Sequence, residues 1–245
     1  MKRIINSIFA LCCTLPALSF ATPVTLTTLN WPPFYAEELE NGGFISVIVE
    51  EAFKASGYES NIEFTTWQNA LDTVKTGKKD AIVGGYFSEE RAKTYHYSSP
   101  IYTVLTGIIK KDDFPLNLYT SFEMLDEYKI GKLDQGLIGV NFDAFPFSKL
   151  TGYTEISDGL KALNSGEIDL YADSLAVAKH AAAKAGMDPA SLQLVQPPVD
   201  QNDLYLLISK AIPNGEVLRD AFNSGLIQIQ SNGTYDKILA DYKQN

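Results

Sequence analysis

Gly84-Gly85-Tyr86-Phe87-Ser88-Glu89-Glu90-Arg91-Ala92-Lys93 follows directly on an apolar run, Ala81-Ile82-Val83, and leads on to Tyr97-Ser98-Ser99-Pro100-Ile101. The apolar run reads as a buried strand. Two glycines end it, where the backbone can turn sharply and a ligand can approach the main chain. Ser88 with acidic residues behind it is a helix start, with Ser88 as N-cap and Arg91 at the third helical position. A strand end, a glycine bend and a helix N-terminus make an anion-binding corner, and Arg91 would add a planar fork suited to a carboxylate. The competing reading is a surface helix whose arginine pairs with its own glutamates. From these residues alone the surface reading is the better one.

Working back toward the N-terminus, Val24 to Leu29 alternates like a strand and ends at Asn30-Trp31-Pro32-Pro33-Phe34-Tyr35. Two prolines cannot continue a ladder, so the aromatics stand on a stiff loop at the strand end. Phe44 to Ser56 has helical apolar spacing and stops at Gly57. Asn61 to Thr65 is a second strand, Gln68 to Thr76 a short helix closed by Gly77, and Asp80 to Val83 the third strand. Strand, helix, strand, helix, strand indicates an α/β unit with a largely parallel sheet.

Working forward, Tyr102 to Ile109 is a long β-branched run, and the composition shifts at Lys110-Lys111-Asp112-Asp113. A domain crossing is placed there. A second α/β unit follows, with a strand at Tyr128 to Gly131, a glycine-punctuated loop from Leu133 to Gly139, and a helix ending at Gly166. After it come a strand at Ile168 to Ala172 with Asp173-Ser174 at its end, and an alanine-rich helix from Leu175 to Ala185. Gln196-Pro197-Pro198 closes the unit, and Leu204 to Ser209 is the return strand. Two helical stretches, Asn214 to Gln230 and Tyr235 to Tyr242, complete the chain. Val74 to Ile82 parallels Leu163 to Tyr171: helix, glycine stop, then a strand begun by Asp. Joints of this kind are common, but the parallel suits two similar lobes.

The 245 residues suffice for one large or two small cores. Lys2 and Arg3 precede an apolar run from Ile4 to Leu18, and Ser19-Phe20-Ala21 offers a small-x-small cleavage site. This is a secretory signal peptide, expected to be cut after Ala21. Both cysteines, Cys12 and Cys13, lie within it, so the mature chain works outside the cytoplasm without disulfides. Loss of Lys2 and Arg3 leaves 18 basic against 30 acidic residues, a formal charge of −12. Such a surface argues against nucleic acid and anionic membrane surfaces as partners. No later segment is long and apolar enough to span a bilayer, so membrane insertion after cleavage is not expected.

The motifs together resemble family 3 of the bacterial extracellular solute-binding proteins. Trp31-Pro32-Pro33-Phe34 is similar to the family's first-strand aromatic loop. Gly43-Phe44 is similar to its Gly-Phe-Asp helix start, with Ile45 in place of Asp. Gly84 to Arg91 with Tyr97 to Pro100 resembles its central motif, Asp169 to Ser174 its second-lobe Asp motif, and Ser231 to Tyr235 its Asn-Gly-Thr turn. The resemblance implies an α/β, two-lobe periplasmic binding protein fold of type II. Two Rossmann-like lobes would be joined by a two-stranded hinge, with residues 22–109 and 202–245 as lobe 1 and 110–201 as lobe 2.

By position, the resemblance gives Trp31 and Trp67 to stacking on the ligand side chain, with core packing as the alternative for each. Trp31 is favoured for the site, because a tryptophan beside two prolines is poorly placed for burial. It gives the Gly84 carbonyl to the ligand's α-amino group, Arg91 to the α-carboxylate, and Asp173 to the α-amino group. That overturns the surface reading of Arg91. Asp173 could also cap the following helix. Four departures stand out. Tyr86 replaces a Thr or Ser that helps hold the carboxylate, and Gln135-Gly136-Leu137 stands where a Gly-Thr pair is expected. Ser99 replaces an Asp, and the spacing from Asp169 to Asp173 is one residue short.

The function so implied is capture of a polar amino acid or similar zwitterion in the periplasm, by a monomer without metal or cofactor, for an inner-membrane ABC permease. The alternatives are a dehydratase-like cleft enzyme using Asp173 or Glu90 as its acid, and a ligand-sensing partner of a membrane receptor. The sequence shows no nucleophile–base pair, metal spacing or phosphate loop, and His96 and His180 read as lone surface histidines. An enzyme is therefore not expected.

Overall fold

The computed structural model describes residues 23–244. The expected signal peptide and cleavage site, with both cysteines, lie outside the described residues. The first half runs β1 (Val24–Thr28), α1 (Phe44–Ala55), β2 (Ser60–Phe64), α2 (Trp67–Lys75), β3 (Ala81–Gly85), α3 (Glu89–Thr94) and β4 (Tyr95–Tyr97). β1 pairs in parallel with both β2 and β3, the arrangement expected of consecutive strand–helix–strand units.

β5 (Tyr102–Lys111) then leads into a second half made of α4 (Phe122–Leu125), β6 (Ile130–Leu133), α5 (Val140–Ala144), β7 (Leu150–Tyr153), α6 (Ile156–Ser165), β8 (Leu170–Asp173) and α7 (Leu175–Ala182). β6 pairs in parallel with β7 and β8. β9 (Leu192–Ser209) returns to the first half, where α8 (Gly215–Ser231) and α9 (Thr234–Asp241) pack.

Among the described residues, β5 and β9 are the only strands that run through both halves, antiparallel to each other from Tyr102 opposite Leu204 to Lys111 opposite Leu192. β9 inserts its last residues beside β3 and β4, while β5 pairs with β8 from Gly107 onward. The return strand is much longer than Leu204–Ser209, and Gln196-Pro197-Pro198 does not end it. The ladder shifts register between Thr106 and Ile108, opposite residues 196–199, so the prolines sit in a bulge where no amide is required of them. The lysine pair at 110–111 likewise stays in its strand. Lys110 is buried, and its ammonium donates to the Phe114 carbonyl at 2.7 Å.

Strand alternation distributes the second-half core. Leu170 and Ala172 of β8 face a smaller cluster with Ile108, Ile130 and Phe142, whereas Tyr171 faces the larger core shared with α6, α7 and the first half. Asp173 is two residues beyond Tyr171, on the same face, where β8 ends. The joints at Gly77 and Gly166 match in detail, with φ of +72° and +77°. After each, an aspartate ties down a neighbouring strand: Asp80 accepts from the Thr25 amide at 2.7 Å and Asp169 from the Lys129 amide at 2.8 Å.

Candidate functional site

Ser88 is the N-cap of α3 and accepts from the Arg91 amide at 3.1 Å, which puts Arg91 at the third helical position. Two main-chain amides of the corner are already engaged, however. The Arg91 amide is spent on Ser88, the Ser88 amide donates to the Tyr97 hydroxyl, and α3 spans six residues. The positive charge at this corner is the guanidinium itself. Arg91 does not pair with its neighbouring glutamates; Glu90 pairs with Lys93 in solvent, which removes Glu90 from any role in the cleft.

Instead the guanidinium turns inward. It donates to the Tyr86 carbonyl at 3.1 Å and to the Gln135 carbonyl at 2.7 Å, and lies 5.2 Å from the centre of the Trp67 ring. Trp67, the first residue of α2, also donates its indole N–H to the Gln135 carbonyl, at 3.2 Å. Burial lowers the Arg91 pKa, opposed by Tyr97, Tyr95, Asp143 and Tyr35. Among the described residues Arg91 forms no ion pair, so this half-buried cation has no counter-ion.

Asp173 lies across the cavity on β8, 5 % exposed. Burial pushes its carboxyl up to about 7, against the Ser174 amide, which donates to Oδ1 at 2.6 Å, and the Trp31 side chain, which also holds it down. The N-cap of α7 is Ser174, so Asp173 does not cap that helix. It too has no cationic partner among the described residues.

Arg91 and Asp173 are the two charged residues lining a cavity of about 50 Å³ between the halves. Trp31, Trp67, Gly84 and Tyr86 line it as well. Trp31 is nevertheless buried at 6 %, contrary to the expectation from its prolines, because it stacks on Phe34 with ring centres 4.7 Å apart. It is a core residue with one edge on the cavity. The Tyr86 hydroxyl is buried and has no hydrogen-bond partner among the described residues. Gly84 has φ +82°, and a Cβ there would sit 2.6 Å from the Tyr35 ring. Its carbonyl accepts from the Tyr35 hydroxyl at 3.3 Å, which leaves a lone pair for another donor. Gln135 enters through its carbonyl only; its side chain is exposed and does not line the cavity.

Sequence reasoning missed Tyr35, Leu29, Leu133 and Ile138, and it gave Gly136-Leu137 no role in the wall beyond a missing Gly-Thr pair. The Gly136-Leu137-Ile138 segment is stitched in place: Asp143 accepts from the Ile138 and Gly139 amides, while Thr106 and Asn202 donate to the Ile138 carbonyl. Lys132 donates to the Gly136 carbonyl. A glycine-rich loop offers no sequence pattern for such backbone bonds.

A second cavity of about 350 Å³ adjoins the first, lined by Asn30, Thr66, Glu155, His180 and the pair Lys184–Glu38 at 2.6 Å. Among the described residues no cluster of three metal-ligating side chains occurs.

Comparison with known proteins agrees with this architecture. An arginine-binding protein of an Escherichia coli ABC transporter is 23 % identical over 215 residues, covering 85 % of each chain. The sensor domain of a histidine kinase superposes with a TM-score of 0.77 at 18 % identity, over 90 % of this chain and 95 % of that one. The arginine-, lysine- and histidine-binding protein of Geobacillus stearothermophilus gives 0.76 at 18 % identity, over 91 % and 96 %. The sequence model of one family, bacterial extracellular solute-binding proteins, family 3, matches residues 24–245, and the chain belongs to that family.

Proposed function

We propose that the protein captures an amino acid, or a similar small zwitterion, in the cleft between its lobes and delivers it to an inner-membrane ABC permease. One observation carries the reading: a guanidinium and a carboxyl, one from each lobe and neither ion-paired among the described residues, line the same cavity. Each is costly to bury alone, and a ligand with a carboxylate and an ammonium relieves both. Arg91 takes the carboxylate and Asp173 the ammonium. Tyr86 adds a hydroxyl donor, Gly84 a carbonyl acceptor, and Trp31 and Trp67 form walls. Gln135 contributes its carbonyl to the Arg91 anchor. The related proteins named for arginine, and for arginine, lysine and histidine, support an amino acid as the solute class.

The lobes divide as residues 22–109 with 202–245 and residues 110–201, and the chain acts in the periplasm as a monomer after its leader is removed. Native mass spectrometry of gently purified protein tests the reading. A retained ligand carrying both an ammonium and a carboxylate is the expected result; a ligand lacking either group overturns it.

A further inference from the structure

Two of the relatives named above are described as binding arginine, or arginine, lysine and histidine, yet the cavity holds only one acid. We infer that the cleft selects an amino acid with an apolar side chain, aromatic or large aliphatic, and excludes arginine and lysine. The inference rests on the reading that the cavity holds an amino acid.

The polar groups of the wall are used up by the zwitterion. Asp173 answers one ammonium, and Arg91 with the Tyr86 hydroxyl answers one carboxylate. The remaining polar atoms are engaged within the protein. The Trp67 indole N–H is on the Gln135 carbonyl, the Tyr35 hydroxyl is on Gly84, and the Lys132 ammonium is on Gly136. The surface left for a side chain is Leu29, Leu133, Leu137, Ile138 and the rings of Trp31 and Tyr86. A second ligand cation would face this surface with no counter-ion, a desolvation that binding cannot repay.

Stacking on tryptophan does not rescue it. Arg91 already stands over the Trp67 ring, so a ligand guanidinium there would meet a like charge. Trp31 is stacked by Phe34 and met edge-on by Tyr86. Of the two acids lining the outer cavity, Glu38 is paired with Lys184 and Glu155 is not.

Titration calorimetry of the chain from residue 22 to 245, freed of retained ligand, decides the matter with L-phenylalanine, L-leucine, L-arginine, L-lysine and L-glutamate. The inference predicts that phenylalanine or leucine binds about tenfold or more tighter than arginine and lysine. Arginine or lysine binding tighter than both apolar probes overturns it while leaving the amino-acid reading intact. If Glu155→Gln then abolishes that binding, the outer cavity holds the side chain. Failure of all five probes, with no amino acid retained on purification, overturns the amino-acid reading itself.

Discussion

The Arg91 guanidinium donates to the main-chain carbonyl of Gln135 at 2.7 Å, joining a helix of the first lobe to a loop of the second. Trp67 donates to the same carbonyl, and Lys184 meets Glu38 at the cleft mouth. These are contacts of a closed cleft, and few enough to break. Because, among the described residues, β5 and β9 alone run through both lobes, the molecule is built to hinge there. Small-angle scattering is expected to show a smaller radius of gyration with saturating amino acid than without. An unchanged profile would count against a hinged cleft.

Asp173 links stability to pH. Burial raises its carboxyl from 3.8 to about 7 in the folded state. The folded state therefore holds this proton more tightly than the unfolded chain. The stabilisation is complete below about pH 4 and lost as pH rises to about 7, on the order of 4 kcal/mol at most. Melting temperatures of ligand-free parent and Asp173→Asn, from pH 4 to pH 8, should diverge, with the parent losing more. Parallel curves would mean the carboxyl is not desolvated. An ammonium ligand favours the ionised form, so binding near pH 6 should release a proton that calorimetry in buffers of different ionisation enthalpy detects.

Tyr86 lines the cavity, and its buried hydroxyl has no hydrogen-bond partner among the described residues. Tyr86→Phe removes an unsatisfied group, so the ligand-free protein should melt no lower than the parent. Its affinity for the amino acid should fall by about 1 kcal/mol, roughly fivefold. Unchanged affinity would remove Tyr86 from the site.

Gly84 and Gly166 separate two costs of replacing glycine. Both have positive φ, but only at Gly84 does an added Cβ strike a neighbour, the Tyr35 ring at 2.6 Å; at Gly166 the space is open. Gly166→Ala should cost about 1 kcal/mol for the backbone alone, and Gly84→Ala about 2 kcal/mol or more. Chemical denaturation measures both, and equal costs would contradict the packing of Tyr35 against Gly84.

Much of this architecture is legible in the chain. Glycine stops, capping serines and apolar runs mark β1 to α3 within a residue or two, because local chemistry and burial agree there. The Gly84–Arg91 segment gives the Ser88 cap and the position of Arg91, but not where the guanidinium points, since that depends on a carbonyl 44 residues away. The short elements β4, α4, α5 and β7 carry too little pattern to read. The α4 and α5 segments are held by phenylalanine contacts, such as Phe142 on Phe147 at 4.7 Å. Pro197 and Pro198 hide the continuity of β9, because a bulge tolerates what a regular ladder does not. The burial of Trp31 depends on Phe34 folding back across the proline turn.

The central claim is that Arg91 anchors the carboxylate of an amino acid in this cleft. Titration calorimetry of parent and Arg91→Ala with the amino acid retained by the native protein tests it, with ligand-free melting as a control for folding. The account predicts a loss on the order of 2–4 kcal/mol, because the carboxylate would be left desolvated without its partner. An Arg91→Ala protein that binds as tightly as the parent would contradict the account.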